Sequence, residues 1–510
     1  MSRFGGPTLP PGRVADVTLL LEGTYPFISG GVSSWVHQII RGLPEITFSL
    51  VFIGSSPDRY GAMRYTLPKN VVHLEEHFLS DLPSSQRARV HEGNRDFYVQ
   101  SARLHDVFRG ESADSLEQAL QRVVAKLVAE PVRHERDFLF SERAWTEISR
   151  RYERASPDRS FLEYFWTIRS MHAPLFIAAR AAKRVPPSRA FHVISTGFAG
   201  FLGMLLRSKR RRPLVLTEHG IYTKERRIEL LQANWITEDD HVAPDTEDVN
   251  IGFFRQLWIR FFETLGRMTY AAADPIIALY EGTRARQIKD GAPASRTRVV
   301  PNGIALDRFA PLRSLRNGQI PPVLGLIGRV VPIKDIKTFL RAMRVVCSEL
   351  PHAEGWIVGP EDEDPSYAQE CRHLTSNLGL QERVKFLGFM KVEEVFPRLG
   401  INVLTSISEA QPLVVLEGFA AGVPCVATDV GCCRELIEGV APDDRALGTA
   451  GAVVAIADPD ATARSAVALL RDSERWSAAQ RAGIARVERF YTERLMLDRY
   501  RAIYRTALEV

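Results

Sequence analysis

Two glutamates, Glu409 and Glu417, stand eight positions apart in the string Ser408–Gly418, SEAQPLVVLEG. Pro412 between them suits the first position of a helix, because it has no N–H to lose there and its φ is already set. The Leu, Val and Ala residues that follow continue that helix as a buried one. The spacing puts Glu409 in the loop ahead of the helix and Glu417 more than one turn inside it. The helix start offers N–H groups without intrahelical partners and the positive end of the dipole, which suits a phosphate. One carboxylate then reaches a ligand held at the helix start, and the other reaches a group farther along it. That layout matches a nucleotide-sugar. Its diphosphate would lie at the helix start, its sugar hydroxyls on one carboxylate and its ribose hydroxyls on the other. The ordinary alternative is a surface helix with two solvated acids, and this spacing alone does not exclude it.

The preceding segments weaken that alternative. Val323–Arg329, VLGLIGR, is an apolar run ending in Gly-Arg, and VVPIKDIKTFLRAM follows it. The pattern predicts a buried strand, a turn, and a helix beginning near Asp335 or Ile336. Arg329 and Lys334 thus leave the carboxyl end of one strand five residues apart. Open α/β sheets bind ligands there, and two cations can clamp a diphosphate. Further strands are expected at 355–359, 384–388, 401–405 and 423–428, with helices between them. The fold class is therefore α/β, a βαβ series with ligand-facing residues at strand ends.

Together these strings resemble family 4 of the glycosyltransferases. The resemblance rests on Gly328–Lys334 (GR-x4-K), the spaced glutamates, Pro301–Phe309 (PNGIALDRF) and Ala427–Gly431 (ATDVG). A narrower resemblance, to the PelF-type enzymes of Pel exopolysaccharide synthesis, rests on Glu22–Ile40, Thr217–Leu230 and Asp429–Ile437. The family implies GT-B architecture: two Rossmann-like domains facing across a cleft. It also implies retaining transfer of a hexose or N-acetylhexosamine from a UDP-sugar to a growing polysaccharide. In that reading Arg329 and Lys334 neutralise the leaving diphosphate, assisted by the amides of Leu413 and Val414, while Glu409 holds the sugar hydroxyls and Glu417 the ribose. The UDP-sugar is a co-substrate, so no cofactor is expected. With no DxD-type cluster at a strand end, and two cations in its place, no metal is expected either. Partners implied are the donor, the polysaccharide acceptor and inner-membrane Pel synthase subunits. Many family members have Gly-Gly where this chain has Gly431-Cys432.

The first half adds its own candidates. VADVTLLLEG predicts the first strand, and Gly30-Gly31 after it permits a tight turn and close backbone approach to a ligand before a helix over Val32–Ile40. The resemblance sets this loop against the donor phosphates or the acceptor. This is not the GxGxxG of dinucleotide enzymes. His219 follows the strand Leu214–Glu218 and is implied to touch the transferred sugar or a phosphate oxygen. Glu218 beside it points to the opposite face if the strand continues. YTKERRIELL after it reads as a solvated helical face, and Arg207–Arg212 as a basic helix end.

Domain boundaries are expected as follows: residues 1–305 for the acceptor-side domain, with a largely helical insertion over about 68–187 that includes helices at Ser115–Ala129 and Phe161–Ala182. A linker follows at 306–322, then the nucleotide-sugar domain at 323–489. A terminal helix over 490–510 would return to the first domain. A chain of 510 residues has room for this. A net charge of +5 is too small to argue for nucleic acid, and five scattered cysteines suit a reducing cytosol. No apolar run reaches 18 residues, and the N-terminus lacks a signal-peptide core. The expected location is the cytoplasm, with recruitment to the inner membrane by partners. Two rivals stay open: a UDP-sugar epimerase of the same fold, and a non-catalytic nucleotide-binding scaffold of a polysaccharide synthase.

Overall fold

The computed structural model describes residues 5–81, 89–108, 116–155, 158–233, 235–236, 251–316 and 318–509. They form two compact units, one of Met1–Ala278, Arg284–Val299 and Tyr500–Val510, the other of Leu279–Thr283 and Val300–Arg499.

The first unit is built on β1 (Ala15–Glu22), β2 (Phe48–Gly54), β3 (Val71–Phe78), β4 (Ser188–Val193), β5 (Leu214–Glu218), β6 (Ile276–Ala278) and β7 (Thr297–Val299). They lie in the order β3-β2-β1-β4-β5-β6-β7, every neighbour parallel. The second unit repeats the plan with β8 (Val323–Ile327), β9 (Glu354–Val358), β10 (Val384–Gly388), β11 (Ile401–Leu404), β12 (Cys425–Thr428) and β13 (Gly451–Val454). Their order is β10-β9-β8-β11-β12-β13, again all parallel. Sheets covered by helices on both faces need strands that are apolar throughout, which is why β1, β2 and β5 read as near-continuous Val, Leu and Phe runs. In each unit the chain works outward on one side of the first strand and then returns on the other side. The reversal leaves a crevice beside β1 and β4 in one unit and beside β8 and β11 in the other. The α/β class is what the strand pattern predicted, and two Rossmann-like units are what the family resemblance implied.

Three expectations are corrected. The segment 68–187 is not helical from its start, because 71–78 is β3. His73, Glu75 and His77 disguise it as polar, and they pair among themselves: Glu75 lies 3.1 Å from His77 and 3.6 Å from His73. Both imidazoles hold its carboxyl down, to about 2, against the opposing effect of burial. The helices that do follow, from Arg95–Phe108 to Phe161–Arg184, share one apolar core with the sheet, where Leu120, Val123 and Phe176 join Val51 and Phe191. The expected helix at Ser115–Ala129 is observed over Leu116–Ala129, and Ser115 lies outside the described residues. Second, 306–322 is not a free linker. Leu306–Phe309 and Ala310–Leu315 are short helical turns that bury Phe309 and Leu312 in the second unit's core, while Asn317 lies outside the described residues. Third, Pro412 is the cap and Leu413 the first residue of the helix Leu413–Ala420, since ψ of 108° keeps Pro412 extended.

Among the described residues no helix is long and apolar enough to cross a membrane. The buried Cys432 and Cys433 pack in the apolar cluster of Leu416, Phe419 and Leu436, so the Cys432 side chain belongs to the core.

Candidate functional site

In the second unit the residues singled out lie at the mouth of the β8/β11 crevice. After β8 the chain turns through Gly328 and Arg329 into a tight turn over Pro332–Lys334. Asp335 then adopts a left-handed conformation (φ 45°) and caps the helix Ile336–Glu349 by accepting the Thr338 N–H at 3.2 Å. That kink directs Lys334 towards the loop after β11. Its ammonium donates to the Glu409 carboxylate at 2.5 Å, and both side chains are largely buried, 19% and 15% exposed. Ser406 donates to the same carboxylate oxygen at 2.7 Å. The two chain segments are also stitched together directly. Thr405 donates to the carbonyls of Lys334 and Asp335, Ile407 N–H bonds to the Ile333 carbonyl, and Thr428 at the end of β12 donates to the Ser406 carbonyl. A cation and an anion from two strands far apart in sequence are thus fixed side by side where the strand order reverses.

Gly431 (φ 55°) closes in from β12. A Cβ there would sit 2.2 Å from the Ala410 carbonyl, so only glycine lets the Asp429–Gly431 turn pass under the Glu409 loop. In the helix that follows, the first backbone bond runs from the Val415 N–H to the Pro412 carbonyl at 3.1 Å. The N–H groups of Leu413 and Val414 therefore lie ahead of the ladder, at the positive end of the helix.

Glu417 sits one turn in, half-buried. Burial pushes its carboxyl up to about 7; Arg308 opposes this, and Glu393 adds to it. At neutral pH it exchanges between an acid that donates and a carboxylate that accepts, a suitable partner for a pair of hydroxyls. Arg329 is placed differently from its expected partner Lys334. Its Nη1 donates to both Glu363 carboxylate oxygens at 2.5 Å, with both side chains about half exposed. The structure therefore joins Lys334 with Glu409 and holds Arg329 apart, on an exposed pair that costs little to open.

In the first unit, the crevice beside β1 and β4 is lined by Glu22, whose carboxylate accepts the Ala199 N–H at 3.0 Å and the Tyr222 hydroxyl at 2.8 Å. Gly197 makes room: a Cβ there would run into Tyr222 and Glu22. His219, just past β5, packs edge-on against Trp35 of the helix Gly31–Gly42, ring centroids 4.7 Å apart. Burial lowers its imidazole to about 4, so it is neutral at physiological pH and suited to a sugar hydroxyl. His219 Nε2 and Trp35 Nε1 are both buried without a hydrogen-bond partner among the described residues. We expect His219→Phe, which keeps the ring and its packing, to leave the melting temperature near that of the parent. Transfer should fall by about tenfold in kcat/KM, the worth of one hydrogen bond to substrate. Steady-state kinetics on the two proteins checks this. Glu218 turns inward. It is buried, accepts from Tyr270 and Gln287, and is raised to about 7 by burial.

The glycine pair needs a different account from a tight turn. Gly30 is extended (φ 162°), Gly31 opens the helix Gly31–Gly42, and a Cβ on either would meet nothing within 4 Å. Neither backbone conformation nor packing within the unit calls for glycine there. Gly31→Ala is accordingly expected to change stability by no more than about 0.5 kcal/mol while weakening substrate turnover. Thermal melts and kinetics measured together separate the two effects.

A family model described as a domain of unknown function, DUF3492, matches residues 15–295, over half of the chain. The chain belongs to that family. Residues 321–472 match the model described as glycosyl transferases group 1, so a DUF3492 unit precedes a group 1 glycosyltransferase domain here. Relatives include a D-inositol 3-phosphate glycosyltransferase of Geodermatophilus obscurus, 31% identical over 41% of this chain and 48% of its own. The lipopolysaccharide core biosynthesis mannosyltransferase LpsB of Rhizobium meliloti is 29% identical, over 38% of this chain and 55% of its own. The chain spans about half the length of these relatives. Among solved structures, HepE of Anabaena in complex with UDP and glucose aligns with a TM-score of 0.58 at 16% identity, covering 96% of this chain and 99% of that one. Sucrose-phosphate synthase of Thermosynechococcus elongatus gives 0.57 at 16% identity, covering 96% and 98%. These likenesses establish the GT-B fold.

Sequence reasoning passed over the hydroxyl residues of the group 1 domain. Thr405, Ser406 and Thr428 sit at the ends of β11 and β12 and tie the loops that carry Lys334 and Glu409. The available signal was a small polar residue directly after each of two apolar strand runs. Nor did it single out Tyr222 and Glu22, which lock the DUF3492 crevice.

Proposed function

We propose that this chain is a UDP-sugar-dependent glycosyltransferase of the family 4 type. It would move a hexose or N-acetylhexosamine to a growing bacterial exopolysaccharide with retention of configuration and without a metal ion, as PelF-type enzymes do. The observation that carries the reading is the Lys334–Glu409 pair, held across the β8/β11 reversal beside the free N–H groups of Leu413 and Val414. The match to glycosyl transferases group 1 and the fold of UDP-bound HepE support it.

Chemically, the departing UDP leaves a diphosphate whose charge grows as the glycosidic bond breaks. The Lys334 ammonium and the backbone N–H groups of Leu413 and Val414 at the helix start would stabilise that charge. Donor binding would draw Lys334 towards phosphate. Glu409 would then turn its freed oxygen to sugar hydroxyls, still anchored by Ser406. Arg329 would exchange Glu363 for phosphate, a swap of one exposed pair for a charge-assisted one. Glu417 would hold the ribose. His219 contributes a neutral hydrogen-bonding group suited to the sugar. Metal-independence rests on these cations taking the place of a divalent ion. The acceptor polysaccharide and inner-membrane Pel synthase subunits complete the proposal as partners, with the chain working on the cytoplasmic side.

Incubation with UDP-glucose, UDP-N-acetylglucosamine and UDP-N-acetylgalactosamine, with an oligosaccharide acceptor and EDTA, tests the reading. One donor should release UDP, and the product should show α configuration by NMR. A β product would overturn retention, and no release from any donor would overturn the activity.

A further inference from the structure

In the first unit the helices Tyr222–Leu231 and Phe253–Ala272, with Arg286, Lys289, Asp290 and Gly291 at the end of a third, line a cavity of 410 Å³. Four cations line it: Arg227, Arg267, Arg286 and Lys289, with Glu263 and Asp290 as its acids. Asp290 takes up Arg286 with both carboxylate oxygens, at 2.9 and 2.8 Å. Among the described residues Arg227, Arg267, Lys289 and Glu263 make no ion pair. Three cations less one acid leave two positive charges without a counter-charge. Lys289 lies in the last turn of its helix, where the dipole favours a cation. Arg227 and Arg267 lie inside theirs, so the dipole does not account for them.

The walls are shaped closely. At Gly266 a Cβ would lie 3.0 Å from the Thr223 methyl, and at Gly291 (φ 111°) it would lie 3.3 Å from the Arg267 side chain. Thr223 lines the cavity, and its hydroxyl is buried with no hydrogen-bond partner among the described residues.

We propose that this cavity binds a phosphomonoester. Arg227 and Arg267 supply the forked donors that match phosphate oxygens, Lys289 a point charge, and Thr223 a hydroxyl. Glu263 accepts from a hydroxyl on the organic part. The volume is in the range of small-ligand sites, larger than a bare phosphate needs. Two sources share this chemistry: a free sugar phosphate and the headgroup of an anionic lipid. Ile228 and Leu231, 45% and 39% exposed on the helix of Arg227, give the second source an apolar surface to meet.

The test uses the full chain. Glucose 6-phosphate is titrated calorimetrically, and co-sedimentation is measured with phosphatidylcholine vesicles with and without phosphatidic acid. Binding of the sugar phosphate but not of glucose assigns the free source. Pelleting only with phosphatidic acid, without sugar-phosphate binding, assigns the lipid. In either case Arg227→Gln/Arg267→Gln should weaken binding by about tenfold or more, with UDP affinity unchanged. Both arginines are exposed, so folding is not at risk, and Thr223→Val provides a milder second variant. No binding in either arm, or binding that the double variant keeps, overturns the site.

Discussion

Lys334→Ala is expected to lower kcat/KM for sugar transfer by roughly a thousandfold, about the loss on removing one preorganised donor to a developing oxyanion. UDP affinity should fall with it, because the ammonium is the group fixed at the β8/β11 reversal. The variant also leaves Glu409 largely buried without its cation, so the second unit should lose stability. Arg329→Ala makes the comparison. Its ion pair is half exposed and worth at most about 1 kcal/mol, so stability should hold while turnover drops less steeply. Kinetics and thermal melts on both variants read this difference. If Lys334→Ala transfers sugar within a few-fold of the parent, the phosphate role of Lys334 is wrong.

Glu417→Gln has the second large effect, one that depends on pH. The folded carboxyl titrates at about 7 against an ordinary 4.5, chiefly through burial. A group that binds its proton more tightly when folded destabilises the fold once it is ionised. Below pH 4.5 both states are protonated and Glu417 makes no difference. The penalty grows as pH rises through the interval and levels above 7, at no more than about 3 kcal/mol. Glu417→Gln should therefore match the parent at low pH and melt above it at pH 8. Nucleotide binding runs the other way. Ribose hydroxyls donate best to the ionised form, so UDP should expel a proton from Glu417 near neutrality. Calorimetry in two buffers of different ionisation enthalpy counts that proton, and the glutamine variant should release less. An equal stability difference at pH 5 and pH 8 would remove the buried-carboxyl account.

Five of the second unit's strands, β8 to β12, were legible as short apolar runs bounded by Gly, Thr or Pro, whereas β13 at Gly451–Val454 was not singled out. Lys334 and Glu409 were legible singly as cation and acid beside strand ends. Their pairing was not, since it depends on β8 and β11 becoming neighbours across a long stretch of sequence. β3 escaped because its polarity is satisfied internally by Glu75 between two histidines. The turns over 306–315 looked like a linker because Arg, Ser and Pro mask two core residues, Phe309 and Leu312. For Gly30-Gly31 the tight turn read from the sequence is not formed, since Gly30 is extended and Gly31 opens a helix. Only the coordinates show that neither φ nor crowding requires glycine there.

The central claim is a uridine diphosphate site in the second unit that works without a metal. Calorimetric titration of the full chain with UDP, GDP and ADP, in EDTA, and repeated on Lys334→Ala and Glu417→Ala, tests it most directly. The account predicts UDP-selective binding that persists in EDTA and collapses in both variants. Well-folded protein that binds none of the three nucleotides would contradict it and point to a non-catalytic subunit of a polysaccharide synthase.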